Sequence, residues 1–358
     1  MEEQSMKMPS VTISFTEAAT AAVKRGERGI IAMILKDIVP AENPVRCVTE
    51  EDIPTELSEA GKQQIRLALK GYVNTPNSVI VYMIGKSEEN YETALNYLKT
   101  VRFDYLVAPS VETDGQLSAV TSYVKNERKA NKLIKAVLPN VTADSEGIIN
   151  YATETVYEND TEYTTEQYCS RIAGIIAGTP ITISCTYAPL PELTDCTRLT
   201  SKEADAAAEA GKLIVWWDGE KVKTGRGINS LTTLTDEKGE QFQTIKIVET
   251  MDMITNDIRM TTEDSYIGKY ANTYDNKCLL VSAIGNYFEK LQKQGVLNSW
   301  TLEINVEANR AYLKEKGTNV EKMTEDEIKK ANTGKNVFLK AKLSILDAIE
   351  DIDLPIAI

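Results

Sequence analysis

Strand-like apolar runs alternate with helix-patterned segments between residues 29 and 139, and this alternation leaves few architectures open. Gly29 to Lys36 reads as a first core strand, and a helix follows over about Ser58 to Lys70. Val79 to Ile84 is a buried-strand run. Ser87 is placed to cap a helix that carries Tyr91, Leu95 and Leu98 on one face. Phe103 to Ala108, stopped by Pro109, is the next strand. Leu117, Val120 and Val124 mark a helix, and Leu133 to Leu138 is a strand stopped by Pro139. Strands and helices in this rhythm build a largely parallel sheet covered on both faces, so the expected class is α/β.

The chain then changes texture. Asn159-Asp160 separates two short β-prone runs and predicts a hairpin turn. Thr164 and Gln167 match a capping box, and the helix they open carries Tyr168, Ile172 and Ile176. Its small residues Ala173, Gly174, Ala177 and Gly178 would admit another backbone. Ser201 to Gly211 predicts a helix, and Lys212 to Trp217 with Lys221 to Thr224 a strand pair. From about residue 240 the pattern is α+β. Phe242, Ile245, Val248, Met251, Ile254 and Ile258 recur at helical spacing, as do Leu280, Ile284, Tyr287, Phe288 and Leu291. Trp300 to Val306 reads as a strand, Thr324 and Glu327 as another capping box, and Val337, Leu339, Ala341, Leu343 and Ile345 as a long alternating strand. The expected boundaries are an arm over 1–22, an α/β domain over 23–240, an α+β domain over 241–348 and a second arm over 349–358.

Composition narrows function by exclusion. The sequence of 358 residues contains no histidine, which removes Ser-His-Asp and Cys-His catalysis and every histidine-bearing zinc site. Its five cysteines (Cys47, Cys169, Cys185, Cys196, Cys278) are scattered, the pattern of reduced, buried thiols rather than a disulfide frame. The formal net charge of -13 argues against a general grip on nucleic acid or anionic lipid. The longest purely apolar run, Ile30 to Leu35, is far short of the ~20 residues that span a bilayer. The N-terminal Met-Glu-Glu-Gln-Ser has neither the charge nor the apolar stretch of a signal peptide, so a cytoplasmic origin is expected. There is no phosphate-binding G-x-x-x-x-G-K-[ST] loop, and Gly225-Arg226-Gly227 reads as a plain loop after a strand pair. No catalytic, cofactor-binding or metal-ligating set emerges. The remaining enzyme reading is a cytosolic α/β enzyme that uses carboxylates or a thiol on a nucleotide or sugar.

Both ends of the chain carry an apolar-alternating strand set off from the body. Val11, Ile13 and Phe15 alternate with polar residues near the start. Ile352, Leu354, Ile356 and Ile358 do so at the end, where Pro355 confines the segment to a sheet edge. Two readings stay open: each strand folds back onto its own sheet, or each is donated to the sheet of a neighbouring subunit.

Several stretches together resemble a known family: Pro9 to Phe15, Arg28 to Met33, Gly147 to Asn150, Ser170 to Pro180 and Gly227 to Leu231. Lys238 to Glu240, Ile245 to Thr250, Asp257 to Arg259, Tyr266 to Lys269, Asn272 to Lys277 and Leu346 to Asp353 complete the set. In this order the sequence resembles the contractile tail sheath family, in the short form of Gram-positive phages, defective prophages and phage-tail-like bacteriocins. The resemblance implies a structural subunit, not an enzyme. It implies stacked rings of six around a tail tube, contacts with baseplate and tail terminator proteins, and contraction that drives the tube through a cell envelope. Assembly would take place in the bacterial host cytoplasm, before release of the particle. The terminal arms would join neighbours' C-terminal sheets, with Val337 to Ile345 as the acceptor strand. The α/β region of such sheaths is subtilisin-like in fold only, since the lack of histidine excludes that chemistry here. With the C-terminal domain as inner wall, Arg310, Lys314, Lys316, Lys329, Lys330 and Lys335 are the candidate tube-facing residues.

Overall fold

The computed structural model describes residues 22–23 and 26–357. The parallel strands form where the apolar runs predicted them: β1 (Ile30–Lys36), β3 (Ser78–Ile84), β4 (Tyr105–Val107), β5 (Lys135–Pro139) and β6 (Ile148–Tyr151). β2 (Val45–Cys47) adds antiparallel to β3, and β10 (Lys212–Leu213) adds parallel to β6. The resulting seven-stranded sheet has the order β10-β6-β5-β4-β1-β3-β2.

Alternate residues of β1 serve two cores, which is why its apolar run is continuous. Ile31, Met33 and Leu35 pack with Ile65, Leu67 and Ala68 of helix α1 (Glu59–Leu69) and with Ile172, Ala173 and Ile176 of helix α4 (Thr165–Ala177). Ile30, Ala32 and Ile34 share the opposite core with Leu95 and Leu98 of helix α2 (Glu92–Leu98) and with Val120 and Val124 of helix α3 (Leu117–Lys129). The small residues of α4 have the predicted use: a Cβ at Gly174 would run into the Ala68 carbonyl, so α1 and α4 meet backbone to backbone.

Between these elements β7 (Thr155–Glu158) and β8 (Thr161–Thr164) form the hairpin, with Asn159 at φ 55 in its turn and β9 (Asp195–Cys196) on the other side of β7. Helix α5 (Ser201–Glu209) buries none of its residues. β11 (Val215–Trp217) pairs with β12 (Val222–Thr224). Then come helices α6 (Ile245–Ser265) and α7 (Tyr274–Lys293), β13 (Leu297–Ile304), α8 (Val306–Glu315), α9 (Glu325–Lys330) and β14 (Leu339–Ile345). β13 and β14 make a two-stranded sheet. The chain forms two compact units interleaved in sequence. One is built from residues 26–260, 288–301 and 342–357, the other mainly from 261–287 and 302–341.

Three local expectations are corrected. Helix α2 starts at Glu92 and not after Ser87, because the Asn90 side chain takes the Glu92 amide at 3.0 Å and holds a turn there. The run from Lys212 to Trp217 is two strands with different partners, β6 for the first and β12 for the second. The strand expected at Trp300 to Val306 ends at Ile304, since Asn305 caps α8 by accepting from the Ala308 amide at 3.0 Å.

The first half of α6 is fixed to the amino-terminal edge of the parallel sheet by buried charge. Glu249 accepts from Lys135 at 2.7 Å, from Arg28 at 2.9 Å and from the Tyr105 hydroxyl. One turn on, Asp252 takes Lys135 at 3.0 Å and Arg128 at 2.8 Å. Arg128 and Lys238 both reach Glu146, at 3.6 and 2.9 Å. Burial alone would raise the Glu249 pKa from 4.5, but Lys135 and Arg28 outweigh it and hold the carboxyl at about 2.

Removing one partner of such a cluster leaves the others buried and uncompensated. Glu249→Ala should therefore cost about 3–5 kcal/mol in urea unfolding, and a loss below ~1 kcal/mol would contradict the assignment. The depressed pKa also fixes the sign of the acid response. The stability that Glu249 contributes is full above pH 4.5 and is lost as pH falls towards 2. Glu249→Gln, read by urea midpoints across that interval, should flatten the pH dependence relative to the parent chain.

Candidate assembly surfaces

In an open α/β sheet the natural ligand crevice lies beyond the carboxyl ends of the strands where strand order reverses. Here that point is between β1 and β4, because β1 leads to β3 on one side and β4 leads to β5 on the other. The polar groups at this crevice are committed to structure. Lys36 pairs with Asp114 at 2.8 Å, and Asp114 also accepts from the Tyr91 hydroxyl at 2.7 Å. Asp37 accepts from the Ser58 hydroxyl at 2.6 Å and from the Ile38 amide at 2.8 Å. Glu166 takes the amides of Glu112 and Thr113 at 3.0 and 3.1 Å. A thiol nucleophile needs a lowered pKa, whereas burial pushes Cys47 and Cys196 up to about 11 and Cys185 up to about 12. Among the described residues, no group of three or more acidic or cysteine side chains could hold a metal ion, and no helix is long and apolar enough to cross a membrane.

The candidate assembly surfaces lie in the C-terminal third. After β14 the chain runs without regular structure from Leu346 to Ala357. Ile352, Leu354 and Ile356 are 82%, 72% and 77% exposed, an alternating apolar stripe with nothing on it among the described residues. Of the terminal-arm residues, Val11, Ile13, Phe15 and Ile358 lie outside the described residues. In β14, Leu339, Leu343 and Ile345 are half-buried and Ala341 is exposed; Val337 precedes the strand and is 39% exposed. Two strands alone make a marginal sheet, and this one has apolar residues left partly in water.

Two features of the C-terminal segment escaped the sequence reading. Its root is tied down at Leu346, whose amide donates to the Val296 carbonyl at 3.0 Å and whose carbonyl accepts from the buried Lys246 ammonium. A little further on, Thr186 donates to Glu350 at 2.6 Å and Arg226 pairs with Asp351 at 2.6 Å. Arg226 sits in the Gly225-Arg226-Gly227 loop, which is a loop as expected; contacts across 125 residues of sequence leave no local pattern to read.

The basic candidates divide by use. Lys314, Lys316, Lys330 and Lys335 are exposed and Lys329 is half-buried. Lys330 lies 5.7 Å from the Tyr274 ring centre and Lys316 5.6 Å from that of Tyr312. Arg310 is half-buried and spends its guanidinium on the Val320 carbonyl at 3.1 Å, which makes it a weaker candidate for an outside partner. Beneath these side chains Leu313, Val320 and Ile328 form a small core with Val306 and Met323.

A tail sheath protein of Clostridium phage phiCD119 is 40% identical to this chain over 351 residues, which cover 96% of this chain and 98% of that protein. The chain belongs to the phage tail sheath family. The family's central-domain description matches residues 85–230 and its C-terminal-domain description residues 237–358. Two solved structures share the fold of this sheath-family chain. The sheath tail protein of Desulfitobacterium hafniense superposes with a TM-score of 0.70 at 21% identity, covering 83% of this chain and 94% of its own. The helical sheath of the anti-feeding prophage in its contracted state gives 0.72 at 14% identity, covering 98% and 99%. The relatives are structural tail proteins, not enzymes, and the enzyme reading finds no support among them.

Because Ile352, Leu354 and Ile356 cover nothing among the described residues, a chain ending at Asp351 should unfold within about 0.5 kcal/mol of the full chain. Urea unfolding checks this. A loss near 2 kcal/mol per side chain, the value for truncating a core residue, would mean that the segment folds back.

Proposed function

We propose that this chain is the structural subunit of a contractile tail sheath. It polymerises helically, in stacked rings of six, around a tail tube, and contracts to drive the tube through a target cell envelope. The observation that carries this reading is the identity to the phage tail sheath protein along nearly the whole of both chains. The exposed apolar stripe at the C-terminus supports it, since an alternating apolar segment without cover among the described residues is the form a donated strand takes before assembly.

In this reading residues 1–22 and 349–358 are arms that add to neighbours' C-terminal sheets, with Val337 to Ile345 supplying the acceptor strand. Residues 23–240 face outward and 241–348 line the tube. The energies suit templated growth. A five-residue strand gains about 4 hydrogen bonds worth about 1 kcal/mol net each, and three buried apolar side chains add about 2 kcal/mol apiece. Ordering the strand costs about 1–2 kcal/mol per residue, so one arm alone nearly breaks even. Several arms engaging together on a preformed ring share the cost of positioning. Assembly therefore starts on a baseplate and tube in the host cytoplasm and ends at a terminator, and the finished particle is released.

Contacts with the tube must let go on contraction, and exposed ion pairs worth ~0–1 kcal/mol permit that. Lys314, Lys316, Lys329, Lys330 and Lys335 are suited to it. Lys329→Glu with Lys330→Glu should shorten or abolish sheaths grown on tubes, seen by negative-stain electron microscopy, while the circular dichroism of the free subunit stays unchanged. Full-length sheaths from that variant would remove these residues from the tube face. Rapid growth of extended sheaths from purified subunits, without tube or baseplate, would contradict templated assembly.

A further inference from the structure

We propose that Arg226 and Thr186 are positioning residues that form a releasable clip setting where the C-terminal arm begins. The inference rests on the arm reading above and adds a control to it. The segment leaving β14 is held at two places of unequal strength. The first, at Leu346, is a backbone hydrogen bond to Val296 together with the buried ammonium of Lys246. The second is the clip, made of Thr186 to Glu350 at 2.6 Å, Arg226 to Asp351 at 2.6 Å and Arg226 to Glu350 at 3.5 Å.

The receiving loop is also held by hydrogen bonds of its own. The Thr186 hydroxyl oxygen also accepts from the Gly227 amide at 2.8 Å and lies 2.8 Å from the Ser184 hydroxyl. The Gly225 amide donates to Ile214 at 2.7 Å. The tail is seated differently. Residues 347–351 line a groove of about 1120 Å³ together with α5, Ile214 and Trp216. Ile349, between the two attachments, is 87% exposed. The Arg226 side chain is about half exposed and that of Asp351 mostly so, and a pair of this kind is weak and salt-sensitive. In this proposal the root stays closed and the clip opens.

Two arm lengths follow. With the clip closed the free strand starts at Ile352 in a fixed direction, so less disorder is lost when it docks. With the clip open it starts at Asp347, and five more residues extend its reach by roughly 17 Å. A tether with two lengths can stay attached while neighbouring subunits change their separation.

The full-length subunit tests the clip through a Glu-specific protease that cuts after Glu350, with cutting after the exposed Glu321 as internal reference. Arg226→Ala should raise the relative rate at Glu350 at least fivefold. The unsubstituted chain in 1 M NaCl should show the same rise, which keeps the test valid should the variant fold poorly. On tubes and baseplates, Arg226→Ala should need about tenfold more subunit to build sheaths, and Arg226→Lys should recover part of the loss. Cutting rates at Glu350 unchanged from the parent chain, both in the variant and in high salt, would overturn the clip, and so would faster cutting with unchanged assembly. A chain lacking residues 352–358 separates the two readings. If it still builds sheaths, the arm reading fails; if it does not while Arg226→Ala matches the parent, the clip alone fails.

Discussion

The carboxylate of Glu249 sits where the Lys135 ammonium, the Arg28 guanidinium and the Tyr105 hydroxyl converge, and its place determines how the chain leaves the parallel sheet. A buried ion cluster adds little net stability over a well-packed apolar contact. What it adds here is register. Glu249 and Asp252 lie one turn apart on α6 and share Lys135 between them. A helix rotated by one residue would strand all of these charges in the core. The start of α6 is therefore set, and with it the point from which the C-terminal third is built.

Beyond that point the chain keeps its apolar groups less well covered. The parallel sheet is satisfied on both faces, with Ile31 and Ala32 among side chains that are fully buried. The β13 and β14 pair has no third strand among the described residues, and the stripe of Ile352, Leu354 and Ile356 has no cover there. Long exposed strand edges invite pairing with other chains, and soluble proteins usually blunt them. In the proposed arm reading, a subunit that polymerises uses that tendency. The stripe is short and carries Pro355, with Asp351 and Asp353 around it, which favours a designated neighbour over indiscriminate stacking.

The parts of this fold legible in the sequence are those whose cause is local. Apolar runs ending at Pro109 and Pro139 marked strands, the Thr164 and Gln167 box marked the start of α4, and the small residues of α4 marked a close helix contact. Misses came where a short polar side chain chose between alternatives that periodicity cannot rank: Asn90 delays α2, and Asn305 ends β13 and opens α8. The Glu249 cluster and the Arg226 contact were illegible for another reason. Each joins residues more than a hundred positions apart, and a single sequence holds no record of such pairs. The exposed C-terminal stripe was legible as an anomaly, because alternation of apolar residues means one buried face, but the sequence left open whether the chain's own sheet or a neighbour's covers it.

Whether the arm is donated turns on which chain covers that stripe after assembly. A helical cryo-electron microscopy reconstruction of the sheath, with residues 346–357 traced from their own β14, measures it directly. The segment around Ile352, Leu354 and Ile356 should run as an edge strand beside Leu339 to Ile345 of a different subunit, its three apolar side chains buried there. A trace that returns the segment to its own subunit's sheet, or leaves it in solvent in the assembled sheath, would contradict it.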